Sequence, residues 1–166
     1  MGRIRLAMQD ELPELMGIFD IARRFMWENG NPSQWPAGTP SVDAVEKDIA
    51  DGVLYVIEGD DGRTHAIFKL IDYPDPTYSY IEDGAWLDDS PYATLHRVAS
   101  DGTMRGVFAQ AVAFAKQLGY THLRVDTHAD NIPMQRAIAK CGFTYTGVIY
   151  IEDGSPRKAY EWIEGM

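Results

Sequence analysis

The sequence predicts an α/β fold in the α+β sense, a central mixed, mostly antiparallel sheet flanked by helices, with elements in the order βααβββαβαββ. Three observations carry this expectation. Two pairs of β-rich runs are joined by short Gly/Asp turns, as antiparallel hairpins require. Four segments repeat apolar residues at helical spacing. A strand, turn and Ala-rich helix follow one another near the middle of the chain.

In order, Arg3 to Met8 alternates charge and apolar groups with a period of two, which reads as an amphipathic strand. Asp10 is a candidate N-cap and Pro13 suits a first helical turn. Leu12, Leu15, Met16, Phe19, Ala22, Phe25 and Met26 then recur at helical spacing as far as Gly30. Met16, Phe19, Phe25 and Met26 read as a core stripe. The segment Asn31-Pro32-Ser33-Gln34-Trp35-Pro36-Ala37-Gly38-Thr39-Pro40 holds three prolines, whose fixed φ prevents regular helix, so it reads as an ordered loop. Ser41 caps a shorter helix with Asp43 and Glu46 near its positive end, stopping at Gly52. Val53 to Glu58 and Arg63 to Ile71 flank Gly59-Asp60-Asp61-Gly62 as a hairpin. Asp72 to Ser90 is irregular, Tyr92 to Ala99 is a strand, and Gly106 to Leu118 is a helix closed by Gly119. Thr121 to Thr127 is a strand, Asn131 to Cys141 a helix, and Phe143 to Ile151 pairs with Arg157 to Trp162 around Glu152-Asp153-Gly154-Ser155. One domain over residues 1–166 is expected, since a chain of this length buries about two thirds of its unfolded surface without disulfides or a structural metal.

Composition excludes several functions. Fifteen Lys and Arg against 25 Asp and Glu give a net charge of −10, which disfavours nucleic acid and anionic membranes as partners. The single cysteine, Cys141, forms no internal disulfide and reads as a small core residue. No signal peptide, lipidation motif or membrane-spanning run is visible, so a soluble cytoplasmic protein is expected. His122, Asp126 and His128 share a strand face, but Arg124 between them opposes a divalent cation, and no metal is expected.

Leu95-His96-Arg97-Val98-Ala99, followed by Gly102, Arg105 and Gly106, resembles the fourth strand and pyrophosphate loop of the GNAT superfamily of acyl-CoA-dependent N-acyltransferases. Asp126-Thr127-His128 with Asn131 and Lys140-Cys141-Gly142-Phe143 is similar to a second block of that family. Together with Asn31 to Pro36 and Glu82-Asp83-Gly84-Ala85-Trp86-Leu87, these residues look like a bacterial subgroup of unassigned substrate. The resemblance spans essentially the whole chain. It implies an N-acetyltransferase moving an acetyl group from acetyl-CoA, as co-substrate, to a primary amine of a small molecule or peptide by direct attack in a ternary complex. It further implies that Val98, Ala99, Arg105, Gly106 and Val107 hold pantetheine and pyrophosphate and that Asn131 meets the CoA arm. Phe108 stands where the family has a small residue, and Ile138 where many members carry a tyrosine acid. These two departures raise the alternative of a non-catalytic acyl-CoA or small-ligand binding module.

Acylation needs a proton acceptor for the amine, and the ordinary pKa of a histidine, about 6.5, suits that work near neutrality. His96 is one candidate base, with a hydrogen-bonded core histidine as the bland reading. Glu82 is the other, since partial burial beside Tyr80 and Trp86 would raise its pKa. Tyr150 is a candidate acid in place of the absent tyrosine. Six acids between Asp72 and Ser90, interleaved with Tyr73, Tyr78, Tyr80 and Trp86, would attract an ammonium group. Tyr80 and Trp86 are therefore candidate substrate-binding residues, with a solvated acidic loop whose aromatics turn inward at least an equal alternative; Trp35, on the rigid Pro-rich loop, is a candidate wall of the acceptor pocket, with packing over the first helix an equal alternative for that ring. The terminal hairpin, with Tyr145, Ile149 and Trp162, could support a homodimer.

Overall fold

The computed structural model describes residues 2–166. Its strands are β1 (Arg3–Leu6), β2 (Leu54–Glu58), β3 (Thr64–Ile71), β4 (Ala93–Ser100), β5 (His122–Thr127), β6 (Thr144–Tyr150) and β7 (Pro156–Ile163). Its α-helices are α1 (Leu12–Glu28), α2 (Val42–Ala50), α3 (Val107–Gln117) and α4 (Ile132–Lys140). The strands form one sheet in the order β1-β2-β3-β4-β5-β7-β6, antiparallel throughout except for the parallel pair β4 and β5. The expected element order and the mixed, mostly antiparallel sheet are both present.

Local chemistry explains most boundaries. Ser41 caps α2 by accepting the Ala44 amide at 3.1 Å. Asp10 does not cap α1; a 3₁₀ turn (Gln9–Glu11) precedes that helix, and Glu11 reaches back to the Met8 amide at 3.2 Å and to Arg5 at 2.7 Å. On one face of the sheet, Leu15, Ile18, Phe19 and Ala22 of α1 pack with Val45 and Ile49 of α2 over Leu54, Val56, Ile67 and Ala99. On the other, Val107, Phe108, Ala111, Val112 and Ala115 of α3 and Ile138 of α4 cover Phe68, Leu70, Leu95, Leu123 and Val125. Phe25, placed in the core by its spacing, is instead 54% exposed, because the helix face it occupies looks into an open cleft and not onto the sheet.

No helix covers the first face beyond β4. There the chain from Asp72 to Ser90 lies over β5, β7 and β6, with Tyr78 packed on Ile149 and Ala159. A buried charged cluster pins it. Glu161 pairs with both His122 and Arg124 while its other oxygen accepts the Leu87 amide at 2.6 Å. The Arg124 guanidinium donates to the Asp88 carbonyl at 2.6 Å between the rings of Trp86 and Tyr92, 4.1 and 4.2 Å from their centroids. At the far edge the Glu82 backbone pairs with Val148 of β6. That approach needs Gly147, where a Cβ would sit 2.7 Å from the Glu82 carbonyl oxygen. Of the three hairpin residues expected at a dimer surface, Ile149 is buried and the Trp162 ring carries Lys116 at 4.0 Å, leaving Tyr145 exposed.

Candidate active site

The parallel pair β4 and β5 is joined only at Ala93 with Leu123 and Thr94 with Arg124. Beyond Thr94 the two strands part. On its other side β4 stays paired with β3, but His96 faces Lys69 and Ala99 faces Ile67, so β4 carries one extra residue, a β-bulge. Arg97 in the bulge has φ of +52°, and Asp48 of α2, buried, lies 2.8 Å from its guanidinium and 2.9 Å from Lys69. The bulge turns the rest of the strand, so that Val98 joins the α3 side and Ala99 the α1 side.

The parted strands open onto a cleft of about 970 Å³ between α1, α3 and α4. Val98, Ala99, Gly106, Val107 and Asn131 line it, as the sequence reading expected for a cofactor site; Arg105 stands outside the lining, its carbonyl accepting from Gln110 at 3.1 Å. Gly106 begins α3 with φ of +65°, a conformation that suits glycine, and the first-turn amides Val107 to Ala109 have no acceptor among the described residues. Phe108 does not block this turn. Its ring is 5% exposed and packs on Phe143 at 5.7 Å between centroids, pointing into the core. Ile138 is likewise core. Asn131 caps α4 through the Met134 amide at 3.1 Å, and its own amide donates to Gln34 at 2.8 Å, so its side chain is already engaged within the protein.

A second network holds the loop before α3. Asp101 accepts from the Thr103 amide at 2.9 Å and contacts His65 of β3 at 2.6 Å, while His65 reaches Asp61 of the β2–β3 turn at 2.9 Å. The hydrogen bond to Asp101, then that to Asp61, raises the His65 pKa against the opposing effect of burial, and both carboxylates are lowered. A raised histidine pKa contributes stability that is complete below its unfolded value and lost as pH rises through the folded value. The tether should therefore loosen from about pH 6.5 upward while both carboxylates stay ionised. Backbone amide NMR of Gly102 and Thr103 should report one titration there that vanishes in His65→Gln; shifts that stay flat with pH would contradict it.

His96 lies on the face opposite α3. Its Nε2 is 2.8 Å from Asp75 Oδ2 and its Nδ1 3.9 Å from Asp126 Oδ2, to which the buried Tyr78 hydroxyl donates at 2.6 Å. Burial alone would push Asp75 up, but hydrogen bonds from His96 and Thr77 bring it down to about 2. Asp75 is thus an anion at any physiological pH, and it occupies the Nε2 side of the imidazole, leaving Nδ1 turned toward Asp126. Nothing in Tyr73-Pro74-Asp75-Pro76-Thr77 announces this partner; only the path of the loop brings it to β4.

Several expected site residues are elsewhere. Glu82 and Tyr150 bond to each other at the β6 edge, with β7 and β5 between them and β4. The Glu82 pKa is lowered, not raised, since the hydroxyls of Tyr150 and Tyr80 both donate to its carboxylate, and Tyr150 is pushed up to about 12 by the same bond. The structure does not join either of them to His96. Tyr80 is 60% exposed beside Glu82. Trp86 donates to the Tyr78 carbonyl at 2.8 Å and lays its ring on Arg124, so the cation that this aromatic surface receives is the protein's own. Trp35 packs edge-on against Phe19 of α1 at 5.8 Å. Among the described residues no group of His, Cys, Asp and Glu is arranged to hold a metal, and no helix is long and apolar enough to cross a membrane.

No family model and no curated protein matches the sequence. Solved structures do. A GNAT-family acetyltransferase from Streptococcus agalactiae is 29% identical, with 99% of this chain and 96% of that one covered and a TM-score of 0.88. The chain has the GNAT acetyltransferase fold. The GNAT-family acetyltransferase of Listeria monocytogenes superposes at TM-score 0.71 with 19% identity, covering 98% of this chain and 94% of that one. The ribosomal-protein-S18-alanine N-acetyltransferase of Escherichia coli does so at 0.63 with 15% identity over 100% and 96%. The GNAT resemblance read from the motifs thus extends to the complete fold, and the name of the 29% identical neighbour supports acetyl transfer in general.

Proposed function

We propose that the protein is an N-acetyltransferase that passes an acetyl group from acetyl-CoA to a primary amine within a ternary complex. The observation that carries this reading is the parting of β4 and β5 over a cleft that ends at the unpaired amides of α3. The parted strand offers backbone donors to an extended amide-containing arm, and free amides at a helix N-terminus, with the helix dipole, favour a diphosphate. Val98 and Ala99 would hold pantetheine, and Gly106 to Ala109 the pyrophosphate.

His96 supplies the base. The amine nitrogen forms the new C–N bond with the thioester carbonyl carbon as the C–S bond breaks and sulfur leaves with its electron pair. His96 Nδ1 takes the proton the nitrogen sheds, and Asp75 at Nε2 stabilises the imidazolium. The thiolate is protonated from solvent, because Tyr150 is committed to Glu82 at the far edge. The test is thiol release from acetyl-CoA across a panel of amino acids, peptides, polyamines and aromatic amines. Release that depends on the amine is expected; acetyl-CoA binding without release by any amine would contradict a transferase.

A further inference from the structure

Burying a charge without a partner is costly, and this protein largely avoids doing so. Of its buried ionisable residues, Asp48 sits between Lys69 and Arg97, and His122, Arg124 and Glu161 form one cluster. Arg157 is the exception. It is 5% exposed, and among the described residues its guanidinium meets only two backbone carbonyls, Pro156 at 2.9 Å and Gln34 at 3.4 Å, with no carboxylate within ion-pair distance. Burial lowers its pKa, only partly offset by Asp126 and Asp153.

Its position sets the charge on the same sheet face as His96. Thr94 pairs with Arg124 and Asp126 with Ala159, so His96, Asp126 and Arg157 project from the same face of the sheet. Arg157 lies two residues beyond Ala159, about 8 Å from Asp126 between Cα atoms by strand spacing and rise. The loop carrying Gln34, which also holds Asn31 and Asn131 at 2.8 Å each, reaches the guanidinium through that one carbonyl. His128 and Asp153 are the other titratable groups near its charge. One end of this row is anionic, Asp75 and Asp126 around His96, and the other is a cation without an ion pair among the described residues.

We infer that Arg157 binds the carboxylate of the acceptor, so that the substrate class is an amine carrying an acid group, an amino acid or the end of a short peptide. This rests on the transferase reading above. The acidic end receives the ammonium, which gives up one proton to solvent before attack; His96 takes the second as the C–N bond forms, and the guanidinium pairs with the carboxylate. The expected primary amine of a small molecule or peptide thereby narrows to an amphoteric acceptor.

The experiment measures thiol release from acetyl-CoA with matched pairs, each amino acid against the same amine lacking its carboxylate, and with aminoalkyl phosphonates as a third arm. The carboxylated partner should be favoured by at least about tenfold in kcat/KM, and Arg157→Gln should bring that ratio close to one. Preference for the amine without an acid group, for the phosphonate over the carboxylate, or a ratio that survives in Arg157→Gln would overturn the inference. Where no pair turns over, calorimetric titration with N-acetyl amino acids, the products, decides: saturation lost in Arg157→Gln supports it, and no saturation overturns it. Arg157→Gln should melt at or above the wild-type temperature, because it removes an unpaired buried charge; a lower melting temperature would make Arg157 a structural residue and overturn the inference. Failure of acetyl-CoA itself to bind would instead count against the transferase reading.

Discussion

Glu161→Ala should lower the free energy of unfolding by about 3–5 kcal/mol, because it strands two partners in a buried site. Glu161 is 1% exposed, it contacts His122 and accepts from Arg124 at 3.0 Å, and it takes the Leu87 amide at 2.6 Å. Its removal leaves the guanidinium between Trp86 and Tyr92 without a counter-ion and an amide without an acceptor. For a domain of this size the loss corresponds to a fall in melting temperature on the order of 10 °C. The same change frees the loop that presents Asp75 and Tyr78 to His96. Urea unfolding of the wild type and of Glu161→Ala checks this; a loss below about 1 kcal/mol would mean that the cluster does not hold the loop.

His96→Gln should reduce kcat for amine acetylation by about 10²- to 10⁴-fold, the range for losing a positioned base. Glutamine keeps a donor toward Asp75 but offers no comparable proton acceptor at the Nδ1 position. Calorimetry should find acetyl-CoA affinity altered by no more than about twofold, since His96 lies outside the lining of the cleft. Asp75→Asn is expected to act in the same direction through the imidazole alone, lowering kcat with little change in KM. Equal kcat in wild type and His96→Gln would remove His96 from the chemistry.

The fold was legible because its signals are local. The Gly59-Asp60-Asp61-Gly62 turn, the Ser41 cap and the period-two runs each specify their element without help from distant residues, and the order follows from them. The cleft was legible for the same reason, since Val98, Ala99, Gly106 and Val107 lie close together in the chain and the strand-to-helix junction itself forms the end with the unpaired amides. Phe108 misled as a motif position: its side chain belongs to the core while its amide belongs to the turn, and a pattern of letters does not separate the two. The surroundings of His96 were the least legible. Asp75, Tyr78, Asp126 and Arg157 come from three separated segments, joined by a loop whose path is set by the buried Glu161 cluster and the close pass over Gly147. Glu82 and Tyr150 were grouped with His96 by residue type, and strand order parts them.

The most direct measurement is isothermal titration of the wild-type protein with acetyl-CoA, with CoA and with 3′,5′-ADP, which lacks the pantetheine arm and one phosphate of the diphosphate. If the parted strands and the unpaired amides of α3 form the cofactor site, acetyl-CoA and CoA saturate one site and 3′,5′-ADP binds it more weakly, by roughly tenfold or more. Acetyl-CoA that fails to saturate the protein, or binds no better than 3′,5′-ADP, would contradict the central claim.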